Sequence, residues 1–380
     1  MSEKERTSNP FLMRGFVKDE WFCDREKETD RLLNNAANGV DTTLISPRKY
    51  GKTGLIFHLF HRIEEEKLPF KCIYVDLFHT RSLEDFVKAM ADELIKIPQH
   101  TSFGRRVLDF IKRLRPIISY DSLTGDPQVS FTYLAESEKE QNLRNILEFL
   151  NSQPEQIILA LDEFQQVTEY PQKMEALLRS YIQNLHNIHI IFSGSRQTIM
   201  AQIFMSPKRP LFSQTQQLAL DKIPAEKYAP FIKRLLGDGG MCIDEDALSF
   251  VLEWTRRHTY YTQSLCNKIY AAHNTHIDID SVKSACSELL DENESSYIQY
   301  RELLTTQQWQ FLIALAKEHQ VAQITSGAFL QKYHISGSTT ARRTVQALID
   351  KGLVLAIPQK NGSVYQVYDV FFMHWLEREY

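Results

Sequence analysis

The sequence predicts an α/β domain built on a parallel sheet, followed by a helical segment and a C-terminal unit of three helices and a hairpin. Three observations carry this. Five short runs rich in aliphatic and β-branched residues fall at 42–45, 72–77, 157–161, 189–192 and 217–220, with helical patterns between them. Most of these runs are continuous rather than alternating, the pattern of strands buried on both faces of a parallel sheet with crossover helices. After Pro224 the strand-like runs cease until about position 353.

The first run leads directly into Ser46-Pro47-Arg48-Lys49-Tyr50-Gly51-Lys52-Thr53, and a helix is expected over 55–66. The second and third runs lie far apart. Between them an amphipathic helix is expected near 82–96 and a basic one near 103–115, and the turn-rich stretch 120–127 reads as a surface loop. The third run ends in Asp162-Glu163 and the fourth in Ser193-Gly194-Ser195-Arg196. Positions 225 to about 293 read as helices with charged faces and no strand. Beyond Tyr297, Trp309, Leu312 and Ala316 share a helix face, and 326–333 forms a second short helix. Ser338 is positioned to cap a third, with Ala341, Val345, Leu348 and Ile349 as its buried stripe and Gly352 at its end. Strands at 353–357 and 363–368, joined by a turn containing Asn361-Gly362, complete the plan of a winged helix. The expected domains are 1–224, 225–296 and 297–380.

Composition bounds the function. The 380 residues leave room for two or three cores, and 43% hydrophobic with 24% charged residues excludes a largely disordered chain. With 44 Lys+Arg against 48 Asp+Glu the net charge is -4, so no global field favours nucleic acid. Five cysteines (Cys23, Cys72, Cys242, Cys266, Cys286) form no C-x-x-C pair, which argues for reduced thiols and against a disulfide framework or a Cys zinc site. The opening MSEKERTSNP has no apolar signal core, and no run approaches the ~18 apolar residues of a membrane span. A soluble, cytoplasmic protein is expected.

The segment 46–53 matches G-x-x-x-x-G-K-[ST] except that Ser46 replaces the first glycine. Such a loop curls backbone N–H groups around a β-phosphate at a helix N-terminus, where the macrodipole favours an anion. Gly51 would let the backbone approach, Lys52 would bridge the β- and γ-phosphates, and Thr53 would offer its hydroxyl to Mg²⁺. A chance strand–turn–helix with a basic loop is the plainer alternative. Against it stands Asp162, at a strand end where α/β sheets bind ligands, positioned to serve Mg²⁺, followed by Glu163 as a base for an attacking water. Acids after a strand also cap helices, but two matching strand ends in this order make coincidence hard to sustain. Ser193 stands at a third strand end within reach of a γ-phosphate or the water; an ordinary strand-to-loop turn is its alternative.

On these residues the chain resembles the prokaryotic, archaeal-type AAA+ ATPases, P-loop NTPases close to the signal-transduction (STAND) branch. Asn9-Pro10-Phe11 and Trp21-Phe22-Cys23-Asp24-Arg25-Glu26-Lys27-Glu28 resemble the family's F-x-G-R-E-x-E box, with Asp24 in place of its glycine. The phosphate loop resembles G-P-R-R-x-G-K-T, with Ser46 and Lys49 as departures; Leu161-Asp162-Glu163 and Phe192-Ser193-Gly194-Ser195 resemble its acidic and sensor strand ends. The resemblance implies a five-stranded sheet of order 5-1-4-3-2, a helical lid, a C-terminal winged helix, and ATP or ADP with Mg²⁺. It implies nucleotide contacts at Phe22, Arg25, Pro47, Arg48, Lys49, Tyr50, Gly51, Lys52, Thr53, Gly54, Ser193 and His258, metal ligation by Thr53 and Asp162, and catalysis by Glu163, Lys52 and Asp162. Two family elements are altered: 210–214 lacks the Gly and Arg of P-L-Y-G-R, and Thr259 replaces the proline of the lid's G-x-P signature.

Weaker constellations have plainer readings. His58 and His61 lack a third ligand at useful spacing. Arg105, Arg106, Lys112, Arg113 and Arg115 interleave with apolar residues, a pattern for anionic lipid or nucleic acid that is more simply a solvated helix face. Three functional classes stay open: an ATPase coupling hydrolysis to conformational change, a nucleotide switch that hydrolyses little, and a DNA-binding regulator. Expected partners are the nucleotide and a protein or second copy, with DNA binding at most weak, because the winged-helix segment is short of a strongly basic footprint.

Overall fold

The computed structural model describes residues 9–13, 15–114, 116–120, 127–133, 135–360 and 362–380. The chain forms two compact units, one comprising 14–222 and the other 1–13 together with 223–380.

In the first unit the five expected runs become β1 (Thr42–Ile45), β2 (Phe70–Asp76), β5 (Gln156–Asp162), β6 (Ile188–Gly194) and β7 (Gln216–Ala219). They pair in the order β2-β5-β6-β1-β7, all in parallel. Numbered among themselves, the five strands run 5-1-4-3-2 read from β7, as the resemblance implies. β6 is buried at every position and β5 at all but its first, which is why their sequences carry no alternation. Seven helices pack around the sheet: α1 (Glu26–Ala37), α2 (Lys52–Glu65), α3 (Leu83–Ile95), α4 (Ser102–Arg113), α5 (Glu136–Asn151), α6 (Met174–Ile182) and α7 (Gln197–Met205). Two cores result. One packs Leu32, Leu55, Ile56 and Leu59 of α1 and α2 against Leu44, Ile158 and Ile191. The other packs Phe86, Met90, Leu143 and Met200 against Ile73, Leu159 and Phe192. Alternate residues of each strand thus serve opposite cores. The flanks of the expected surface loop pair as an antiparallel ribbon, β3 (Ile117–Tyr120) with β4 (Pro127–Ser130); residues 121–126 lie outside the described residues.

The second unit holds α8 (Ala225–Asp238), α9 (Glu245–Trp254), α10 (Thr259–Ala271), α11 (Ile279–Glu302), α12 (Thr306–Glu318), α13 (Gly327–Lys332), α14 (Ser338–Asp350) and α15 (Val370–Glu379). No strand was expected among the early helices, yet β8 (Cys242–Ile243) and β9 (His276–Ile277) form a short parallel pair. β10 (Val354–Gln359) and β11 (Gly362–Val367) make the expected hairpin, and Val321 bridges to Tyr365 at its edge; Asn361 of its turn lies outside the described residues.

The units divide the chain differently from the expected 1–224, 225–296 and 297–380. α11 runs 24 residues straight through the 296/297 boundary, and Trp254 stacks on His374 at 4.5 Å and 6° while Tyr261 meets Phe371, so helical and winged-helix segments share one core. Residues 9–13 join this unit because Asn9 Nδ2 donates to the Asn267 carbonyl (2.9 Å), Asn267 Nδ2 donates to the Phe11 carbonyl (2.8 Å), and Phe11 is buried beside Tyr270. Ser338 is the first residue of α14 rather than its cap. Gly337 precedes the helix at φ 153°, a conformation open to glycine, and Thr344 rather than Ile349 completes the fully buried stripe. Among the described residues no helix is long and apolar enough to cross a membrane, and all five cysteines are free.

Candidate active site

The site is built where β1, β2, β5 and β6 end side by side. β1 stops at Ile45, and the chain reverses through 46–51 into α2, with Gly51 immediately before the helix at φ 96° and Lys49 also left-handed at φ 63°. Gly51 meets that demand without strain; Lys49 meets it at a cost of about 1–2 kcal/mol. Ser46, in the position of the motif's first glycine, is fully buried and is not among the positive-φ residues, so a side chain fits there. Its hydroxyl donates to the Pro47 carbonyl at 3.1 Å. Arg48 and Lys49 are exposed and Tyr50 is buried. Burial, and then the charge of Asp221, push the Tyr50 phenol up to about 12.

Lys52 opens α2 and is buried. Its ammonium donates to the carbonyls of Ser46 (3.2 Å) and Pro47 (3.2 Å) and reaches the Ser46 hydroxyl at 3.4 Å. Burial holds its pKa below the ordinary lysine value, with the Asp162 and Glu163 charges opposing that shift. Thr53 Oγ1 donates to Asp162 Oδ2 at 2.8 Å, which joins the segment after β1 to the end of β5. Tyr74 of β2 donates to the same oxygen at 2.9 Å, and the Glu163 N–H donates to Asp162 Oδ1 at 3.0 Å. The β2–β5 register sets Asp76 opposite Asp162. Burial, and secondarily the Asp162 and Glu163 charges, raise the Asp76 carboxyl, while the Phe78 N–H at 2.9 Å acts against this.

Glu163 adopts a left-handed conformation (φ 53°), and its Oε2 accepts hydrogen bonds from Ser195 Oγ at 2.8 Å and from Gln165 Nε2. Ser193 is fully buried at the end of β6, and among the described residues its hydroxyl has no hydrogen-bond partner.

The N-terminal box borders this cluster. Asp24 has φ 58°, which accounts for glycine at that position in the resembling motif, and Arg25 has φ 82°. Arg25 is buried, bonded to Glu28 (2.7 Å) and to the Asp221 carbonyl (2.5 Å), so it fastens the box to the segment after β7. Phe22 stacks on His58 of α2 at 4.4 Å and 19°, and a side chain at Gly54 would sit 3.4 Å from the Phe22 ring, so glycine keeps the box close to α2.

The sheet therefore gathers Lys52, Thr53, Asp162, Glu163 and Ser193, with Phe22, Arg25 and Gly54 along the box. His258 belongs to the other unit, where it precedes α10, buried with its ring 4.5 Å from that of Tyr261. Sequence reading missed Tyr74, Asp76 and Gln165. The only signal for the first two was the period of a strand ending beside β5, which places Tyr74 and Asp76 on one face. Arg196 pairs with Glu169 and Arg106 with Glu155; Arg115 lies outside the described residues. No group of three metal-ligating side chains occurs among the described residues.

Residues 22–236 match a family described as an ATPase domain predominantly from Archaea, and residues 295–378 match one described as a probable winged helix domain. No curated protein matches the chain. Among solved structures, the Walker-type ATPase PABY2304 of Pyrococcus abyssi is similar at 16% identity and TM-score 0.66, over 97% of this chain and 99% of that one. The Aeropyrum pernix ORC2 protein, in ADPNP-ADP complexes, is similar at 16% identity and TM-score 0.60, over 98% and 97%. The Cdc6p protein of Pyrobaculum aerophilum reaches TM-score 0.50 at 13% identity, over 97% and 98%. At these identities the likenesses establish the fold, whereas the family match spans more than half of the chain. The chain belongs to the family of ATPase domains found predominantly in Archaea, and is a nucleotide-binding ATPase with a winged helix at its C-terminus.

Proposed function

We propose that the chain binds Mg-ATP at loop 46–53 and couples its hydrolysis to a conformational change. The observation that carries this reading is the 2.8 Å bond from Thr53 to Asp162, formed between the first turn of α2 and the end of β5, which the sequence separates by more than a hundred residues, with Lys52 beside it. A hydroxyl and a carboxylate are the hard oxygen donors that suit Mg²⁺, so Thr53 and Asp162 would hold the ion, which would neutralise charge developing on the phosphates. Lys52 exchanges its backbone carbonyl partners for phosphate oxygens. The N-terminus of α2 adds its partial positive charge. Glu163 orients a water and accepts its proton.

A second reading, a switch that hydrolyses slowly or not at all, is favoured by the two donors on Glu163 Oε2. Ser195 and Gln165 already occupy the oxygen that would otherwise take a proton from the water. The protein would act in the cytoplasm on a protein partner or a second copy. Arg342 and Arg343 are exposed on α14, which supports at most weak, salt-sensitive contact with DNA. The test is Glu163→Gln, measured for Mg-ATP binding and for turnover. The hydrolytic reading expects unchanged binding with turnover reduced at least about a hundredfold. A wild type with no turnover above background decides for the switch.

A further inference from the structure

β2 is the outer strand of the sheet, bonded on one side to β5, and among the described residues no strand pairs with its other side. A groove of about 910 Å³ straddles that open edge. One wall comes from α2 (Phe57, Phe60, Ile63) and the other from the turn between α3 and α4 (Ile97, Pro98, His100), with Phe70, Lys71 and Cys72 of β2 between them. Lys71 and Lys67 are exposed there, with Glu64 as the only acid in the lining.

We propose that this groove takes an extended acidic peptide as an added strand on β2. An open strand edge supplies unpaired N–H and C=O groups, and side chains alternating along an added strand would fall towards the two walls in turn. The α2 wall is aromatic and aliphatic, which suits apolar residues. The opposite side carries Lys71 and His100, which suits carboxylates. A second copy of this chain is the less suitable occupant, because β2 paired antiparallel with its own copy across the groove-lining 70–72 would set the two Lys71 side chains against each other. The site lies outside the phosphate loop and stands independently of the hydrolysis reading.

The probe is a fluorescein-labelled hexapeptide alternating valine and glutamate, titrated into the full chain up to millimolar peptide. Expected results are saturable binding, added hydrogen-exchange protection across β2, and affinity lowered more than about tenfold when alternate peptide amides are N-methylated. Lys71→Glu, an exposed position that leaves the core intact, is expected to weaken binding about fivefold. Binding unaffected by N-methylation, or no protection of β2 at millimolar peptide, overturns the proposal. Self-association protecting β2 without saturable peptide binding also overturns it, in favour of a second copy.

Discussion

Replacing Thr53 with Val removes one hydroxyl and almost nothing else, and separates a metal role from a structural one. Thr53 Oγ1 donates to Asp162 Oδ2 at 2.8 Å, a bond to a buried carboxylate worth about 1.5–3 kcal/mol before compensation. Asp162 would keep the Tyr74 hydroxyl at 2.9 Å and the Glu163 N–H at 3.0 Å, so the carboxylate is not abandoned. The net stability loss should therefore be about 1 kcal/mol, read from urea unfolding. Affinity for ATP in Mg²⁺ should fall by about tenfold or more, because one of two protein oxygens that would serve the ion is gone. Calorimetry with ATP in Mg²⁺ and again in EDTA distinguishes the roles: the loss should appear only with the metal. Equal losses in both conditions, or none in either, would refute the reasoning.

Asp41, just before β1, accepts the Ile190 N–H at 2.7 Å, and burial pushes its carboxyl up to about 6, against which that bond acts. A folded value above the unfolded one means that the stabilisation from its proton is complete below about pH 4 and lost as pH rises through 6. Asp41→Asn keeps an acceptor without the charge, so it should stabilise the first unit by up to about 3 kcal/mol at pH 8 and by little at pH 4; a pH-independent difference would contradict this. Gly104, in the first turn of α4, has the Pro98 carbonyl carbon 2.8 Å from where a Cβ would lie, and that neighbour is backbone. Gly104→Ala should therefore cost about 2 kcal/mol or more in thermal unfolding, and an unchanged midpoint would mean that the Pro98 turn yields freely.

The parts of the fold that the sequence reveals are those whose cause is local. β1 falls on 42–45 as expected because a short apolar run is bounded by Asp41 and Ser46, and β5 and β6 are found because burial on both faces demands continuous aliphatics. Their observed ends reach further, to Asp162 and Gly194, because ladder bonding continues through residues whose side chains are polar. β3 escapes a periodicity reading because all four of its side chains are exposed and neither face is marked by burial. The docking of residues 9–13 depends on an exchange between Asn9 and Asn267, which no local pattern signals.

The same division holds at the site. Loop 46–53 and Asp162-Glu163 are local motifs with a legible chemistry. Tyr74 and Asp76 enter only through the pairing of β2 with β5, and Gln165 through a short turn after Glu163 that brings its amide back to the carboxylate. Arg25 was legible from the resemblance of its segment to the F-x-G-R-E-x-E box, while its bond to the Asp221 carbonyl spans nearly two hundred positions.

Calorimetric titration of Mg-ATP into the wild-type chain and Lys52→Ala tests the central claim most directly. Lys52 is the buried cation at the start of α2, with its ammonium on the Ser46 and Pro47 carbonyls. The account predicts saturable binding by the wild type and a loss of at least about a hundredfold in affinity in the variant, with its fold retained. Equal binding by the two proteins would contradict it, because the phosphates would then lie somewhere other than this loop.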